Sequence, residues 1–270
     1  MLFLGRKLHT NEPPKFVAEI GPITASVTKA DPFKRVYEAY HANADYIKIQ
    51  AYTADEIIKL RGRDALKNTK FANQDPHKFY AKYEADFETI EEVFSYAAKM
   101  SMPIFSSVFG TETLEKLEKL HCPAYKIAAR DAHQRELFDA VASTLKPMII
   151  SVPNDFTPQQ HADLRDRIED AGNETIIMHC VSKYPTQPKE ADMANFCNIQ
   201  AMYGGLPDNK TEYGYSDHTP GWSAAIIAMV MGATIIEKHF SLSNYKETYE
   251  ADDLQFARMV EECHRMHEYI

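Results

Sequence analysis

The chain contains four cysteines, Cys122, Cys180, Cys197 and Cys263, and no CxxC pair, which leaves no framework for disulfides or for a thiolate metal cluster. No apolar run approaches membrane-spanning length, and the opening MLFLGRKLHTNEPPKF has too short an apolar stretch for a signal peptide. No basic block offsets the formal net charge of −9, so neither nucleic acid nor an anionic membrane is an expected partner. GxGxxG and phosphate-loop glycine runs are missing, as are repeats and low-complexity tracts. These absences predict a cytoplasmic globular protein with reduced thiols, in which an anionic ligand needs a local positive pocket.

What is present suits one large core: 270 residues, 44% of them hydrophobic and 26% charged. Short β-branched or apolar runs are predicted as strands at 16–20, 46–50, 103–107, 124–128, 147–151, 175–180, 213–216 and 234–236. Helical patterns fall between and after them, at 32–43, 86–100, 111–120, 135–144, 158–170, 191–203, 222–231 and 252–267. Eight strands alternating with helices predict a single-domain α/β protein over residues 1–270, a (β/α)8 TIM barrel with its site at the C-terminal strand ends. A doubly wound open sheet is the alternative, without a glycine-rich turn to support it. The link 51–85 is the longest and is dense in cations, Lys59, Arg61, Arg63, Lys67, Lys70 and Lys78, as suits either a lid or a solvated insertion.

In such a barrel the parallel strands bring their polar ends to one rim: Glu19, Lys48 with Gln50, Ser106 with Ser107, Lys126, Arg130 with Asp131, Ser151, His179 with Ser182, Ser216 with His218, and Glu237 with His239. Side chains alternate with period two, so Lys48 and Gln50 share a face, as do Ser216 and His218, and Glu237 and His239. By the same rule the adjacent His179 and Cys180 point apart, which makes Cys180 a buried inert thiol rather than half of a nucleophile–base pair. Lys48 and Lys126 interrupt the apolar strands YIKIQ and AYKIA. An inward ammonium must be paired or bind an anion. Either Glu19, Asp131 and Glu237 form internal salt bridges, or the lysines and the hydroxyls of Ser107, Ser151 and Ser216 make a phosphate or carboxylate pocket. Two converging imidazoles, His218 and His239, suit a divalent ion with open positions, Mn²⁺, Mg²⁺ or Zn²⁺. The alternative is that each caps its strand on a backbone carbonyl.

The motifs FVAEIG (16–21), YIKIQAY (46–52), PIFSSVF (103–109), PAYKIA (123–128), MHCVSKYPTQP (178–188), YGYSDHTPG (213–221) and IIEKHF (235–240) resemble the catalytic barrel of the N-acetylneuraminate (sialic acid) synthase family. That resemblance implies condensation of phosphoenolpyruvate with an open-chain aminosugar aldehyde, giving a nonulosonic acid and phosphate. It implies that His218 and His239 bind the divalent ion, Mn²⁺ or Mg²⁺, and that Lys48, Ser107, Lys126, Ser151, Ser182 and Ser216 hold phosphoenolpyruvate. Glu19 and Asp131 would handle protons, Gln50 and Tyr184 would touch the sugar, and a homodimer is expected. Glu237 belongs to the same substrate pocket.

The chain departs from the family pattern at 22–26 (PITAS), at Ala129-Arg130-Asp131, where a serine and a longer acid are expected, and at 241–250 (SLSNYKETYE), where a Gly-Pro-Asp loop is expected. The resemblance also stops short of the family's C-terminal antifreeze-like domain. Arg130 is the candidate to replace the missing phosphate-binding serine, and Glu247 or Glu250 the missing acid. A silent barrel acting as a binding subunit, or a related synthase using a sugar phosphate, are the competing functions.

Overall fold

The computed structural model describes residues 1–24, 31–67, 71–207 and 210–270. Lys70 of the cation-rich link, and Ala25 and Ser26 of the PITAS segment, lie outside them. Eight parallel strands close into a barrel: β3 (Lys15–Gly21), β4 (Tyr46–Gln50), β5 (Ile104–Ser107), β6 (Tyr125–Ile127), β7 (Met148–Pro153), β8 (Thr175–Cys180), β9 (Thr211–Asp217) and β10 (Ile235–His239), with β10 pairing back onto β3. The predicted strands and helices are all present, displaced by a few residues at their ends. Among the described residues no helix is long and apolar enough to cross a membrane.

A short hairpin absent from the sequence reading, β1 (Leu2–Phe3) with β2 (Arg6–Lys7), lies across the N-terminal end of the barrel. Phe3 is fully buried, with its ring 5.1 Å from Tyr46 and 5.8 Å from Phe105, and its carbonyl accepts a 2.9 Å hydrogen bond from the Tyr46 hydroxyl. The lower barrel is therefore apolar and filled. Gly214 belongs to this layer: a Cβ there would meet the Ile235 side chain at 2.6 Å and the Ile235 carbonyl oxygen at 2.8 Å, so strands β9 and β10 approach as they do because the residue has none.

Register decides what lines the upper layer. Glu19 lies beside Lys48, Gln50 beside Ser107, Ser107 beside Lys126, Cys180 beside Ser216, and Ser216 beside Glu237. Side chains at paired positions share a face, so all of these point into the barrel and their sequence neighbours point out toward the helices. Burial of Phe16, Ile47, Tyr125, Tyr215 and Ile236 on that outer face supplies the apolar interface between sheet and helices.

The link 51–85 carries two helices, Ala54–Arg61 and Pro76–Tyr83, with a 3-10 turn at Gly62–Asp64 directly after the first. The first is started by a capping box between Thr53 and Glu56, the second by Asp75 ahead of Pro76. Tyr52, Ile57, Ala65 and Phe109 form a small apolar cluster beneath them, separate from the main core. The insertion thus packs onto the rim. Of its described cations, Arg61 turns inward and the others lie toward solvent.

Candidate active site

Four charged side chains meet inside the upper barrel. The Lys48 ammonium pairs closely with Glu19, donates to Ser107 Oγ at 3.0 Å and lies 3.5 Å from Glu237 Oε1. Lys126 pairs with the same Glu237 oxygen at 2.6 Å and reaches Ser216 Oγ at 3.4 Å. Ser216 in turn donates to Glu237 Oε1 at 3.2 Å, and Gln50 Nε2 donates to Glu19 Oε1 at 2.9 Å. All four charged residues are 3% exposed or less, so the network is out of bulk water and its charges balance one for one.

The two lysines are not equivalent. Burial opposes the charge on both, but Glu19 and Glu237 outweigh it at Lys48 and raise that ammonium above its ordinary value. At Lys126 burial prevails over Glu237, and the Lys48 charge adds to it, so that ammonium titrates lower than usual. Glu237 is itself held below the usual carboxylate range: burial would push it up, but Lys126 and then Lys48 overcome that. Ser151 Oγ and Glu237 Oε2 are buried, have no hydrogen-bond partner among the described residues, and border this space. Such atoms mark a pocket shaped for a ligand oxygen or donor.

His218 follows β9 and His239 ends β10, with ring centroids 5.1 Å apart. His218 Nδ1 faces the Val181 carbonyl at 2.7 Å, which fixes the tautomer with the proton on Nδ1 and leaves Nε2 as a free lone pair. Both imidazoles are held neutral, each lowered to about 3. Burial is the main cause, followed at His218 by His239 and at His239 by Lys48. Neutral imidazoles suit a divalent ion, and at His218 the tautomer is fixed as well. Among the described residues no third His, Cys, Asp or Glu completes a cluster around them. The pair fits an ion that keeps most positions for water and substrate oxygens, the habit of Mg²⁺ and Mn²⁺ more than of structural zinc.

A proton effect follows. The unfolded imidazoles titrate near 6.5, so between about 6.5 and 3 the unfolded chain binds protons that the folded one does not. Stability falls as pH drops through that window, by up to about 1.4 kcal/mol per pH unit for each ring. Metal-free protein should therefore melt at steadily lower temperature from pH 6.5 to 4.5, and the His218→Ala/His239→Ala double variant should show a shallower slope. Equal slopes in calorimetry would show that these rings are not the buried neutral groups.

Aromatic rings wall this corner. Tyr184 is 49% exposed, its centroid 4.2 Å from His218 and 5.6 Å from His239, and Tyr249 stands 5.3 Å from His239 and 5.2 Å from Tyr184. Tyr249 was not anticipated. In the divergent segment 241–250 the expected substitutes are Glu247 and Glu250, but Glu250 folds back to accept from the Glu247 amide at 2.6 Å while the Tyr249 ring reaches His239.

Other expectations are corrected. Asp131, expected to handle protons, is fully buried in a two-bond pair with Arg61 of the insertion, Nε to Oδ1 at 2.8 Å and Nη2 to Oδ2 at 2.5 Å, which ties it to the insertion rather than to the lysine network. Arg130, expected on phosphate, donates to the Ala65 carbonyl at 2.9 Å. These two residues hold the insertion instead. His179, placed on the rim, stacks outward on Tyr215 at 5.7 Å and faces the Ala191 carbonyl at 2.9 Å. Its neighbour Cys180 faces the network, buried and with its thiol pushed up by that burial, a position legible from the Ser216 register but not from the dipeptide. Ser182 lies exposed in the loop after β8. Among the described residues, two open concavities of about 350 Å³ each, one lined by Asp31, Lys34 and Leu242 among others and one by Arg135, Phe138 and Arg167 among others, include none of these groups.

The sequence matches the model of the NeuB family over residues 35–270. A pseudaminic acid synthase of Helicobacter pylori is 31% identical over 264 residues, covering 93% of this chain and 73% of that protein. A pseudaminic acid synthase of Campylobacter jejuni is 27% identical over 235 residues, covering 86% of this chain and 66% of that protein. The chain thus spans about two thirds to three quarters of the length of these relatives. In structure it is similar to N-acetylneuraminic acid (sialic acid) synthetase from Leptospira borgpetersenii, with a TM-score of 0.84 and 22% identity over 100% of this chain and 89% of that one. At that identity the likeness speaks for the fold.

Proposed function

The chain belongs to the NeuB family, and on that premise we propose that it condenses phosphoenolpyruvate with an open-chain aminosugar aldehyde, giving a nonulosonic acid of the sialic or pseudaminic type and inorganic phosphate. The observation that carries the reading is the opening of a lysine pair and a histidine pair onto one end of one barrel. An anionic donor and a polarised aldehyde can meet only where both pairs are within reach.

Lys48, Lys126, Ser107, Ser151 and Ser216 offer ammonium and hydroxyl groups to the phosphate and carboxylate of the donor. When bound by the free nitrogens of His218 and His239, a divalent ion supplies Lewis acidity toward the aldehyde oxygen. Tyr184 and Tyr249 stand beside the histidines on the acceptor side, where their rings can pack against the sugar. The donor's methylene carbon attacks the aldehyde carbon, a water adds at the carbon bearing phosphate, and the tetrahedral adduct expels phosphate. That water's proton is assigned to Glu19, a reading supported by its carboxylate lying in the same network, bonded to Lys48 and Gln50. Fixing both partners in this way supplies the proximity the addition needs.

Because Glu19 and Glu237 already neutralise the lysines, donor binding is expected to depend on the cation. In an assay of free phosphate with phosphoenolpyruvate, Mn²⁺ and a panel of N-acetylated aldoses, release should require both sugar and metal. Chelation should weaken donor binding about tenfold or more in calorimetry, an electrostatic difference of roughly 1.4 kcal/mol. Donor binding with no release for any aldose would instead favour the silent barrel. Release with phosphorylated aldoses alone would favour a sugar-phosphate synthase.

A further inference from the structure

We propose that Asp217 and Lys238 are positioning residues, a buried clamp that sets the spacing of His218 and His239. The inference deepens the metal site proposed above and rests on that reading. Register places Asp217 directly beside Lys238 on the outer face of β9 and β10, opposite the face that carries Ser216 and Glu237. Both are buried, at 0% and 1% exposure, so neither reaches the barrel interior or solvent. Each is the immediate sequence neighbour of one histidine.

The bonds are closed on all sides. Asp217 Oδ2 takes the Lys238 ammonium at 2.8 Å, and Oδ1 accepts from both the amide and the hydroxyl of Thr219 at 2.8 Å. Lys238 also donates to the Thr219 carbonyl. His218 is thus the middle residue of a three-residue turn whose two ends are both bound to one lysine, and that lysine's own strand continues into His239. The loop after β8 completes the frame, with the Val181 carbonyl on the His218 ring and the Thr186 amide donating to the His218 carbonyl at 2.9 Å.

Packing alone gives no reason for this arrangement. A buried ion pair is commonly no more stabilising than apolar residues of similar volume. What the charged pair adds is direction: it ties one strand end to the adjacent turn at a fixed distance and angle, which an apolar contact does not. Groups that hold metal-ligating histidines from behind typically change metal affinity 10–100-fold when removed.

The test uses the full chain and Mn²⁺. Single variants strand a buried charge, so the neutral pair Asp217→Asn/Lys238→Met is made. It is expected to melt cooperatively, to bind Mn²⁺ about 10–100-fold more weakly by calorimetry, and to show altered ¹⁵N ring resonances of His218 and His239 without metal. Wild-type affinity with unchanged ring resonances overturns the proposal. Thr219→Val, which removes one bond to Asp217 without stranding a charge, decides the matter if the double variant does not fold: weaker Mn²⁺ binding supports the clamp, and unchanged affinity with unchanged resonances overturns it. If the parent protein binds Mn²⁺ no better than His218→Ala, the metal reading fails by itself. The clamp is then supported by shifted ring resonances in the variants and overturned by unshifted ones.

Discussion

Glu237→Gln is expected to destabilise the protein by about 3–5 kcal/mol at neutral pH, the usual cost of removing one partner from a buried ion pair, or roughly 6–20 °C in melting temperature. Glu237 Oε1 is the acceptor shared by Lys126, Ser216 and Lys48, and without its charge two ammonium groups are left with Glu19 alone. The deficit should depend on pH with a definite sign. The Lys126 ammonium already titrates below its ordinary value because it is buried. Without Glu237 it titrates lower still, so the unfolded chain holds a proton there that the folded chain releases. Stability of the variant therefore rises with pH through that window, and the gap to wild type narrows toward pH 9 to 10.

Added inorganic phosphate should also raise the melting temperature of Glu237→Gln more than that of wild type, because the freed cation takes the anion. Equal stabilisation of both proteins would mean that the lysines serve the fold and form no anion pocket.

The second large effect is on turnover. His218→Ala, and separately His239→Ala, should lower sugar-dependent phosphate release by at least about 10³-fold, as losing several kcal/mol of aldehyde polarisation requires. Donor binding should fall by only about tenfold, as expected for loss of the cation. The split distinguishes the two halves of the site. If turnover survived either substitution within a factor of a few, the histidines would be strand caps, as the Val181 contact of His218 taken alone would allow.

Much of this was legible in the sequence because it depends on local periodicity. Period two puts Lys48 with Gln50 and Glu237 with His239 on common faces, and the strand YIKIQ has the predicted bounds, Tyr46–Gln50. The paired charges were legible only as alternatives, and the structure has both lysines in salt bridges to Glu19 and Glu237 within a space also lined by Ser107, Ser151 and Ser216. The link 51–85 could have been read further, since Thr53 with Glu56 has the spacing of a capping box and Asp75-Pro76 is a helix start. Tyr249 is not legible in the sequence, because the fold of the divergent loop, not its composition, selects which side chain faces His239.

Sequence by itself determined the barrel, the end of each strand that carries polar groups, and which residues of a strand share a face, because alternation and strand–helix order act over neighbouring residues. Only the tertiary structure decided the partners. Asp131 is bound by Arg61 rather than by a lysine, Glu237 is shared by two lysines, and Asp217 meets Lys238 on the outer face of the wall. The physical reason is barrel closure. The stagger between β10 and β3 brings the first and last strands side by side, and residues far apart in the chain then compete for the same few ångströms of buried space.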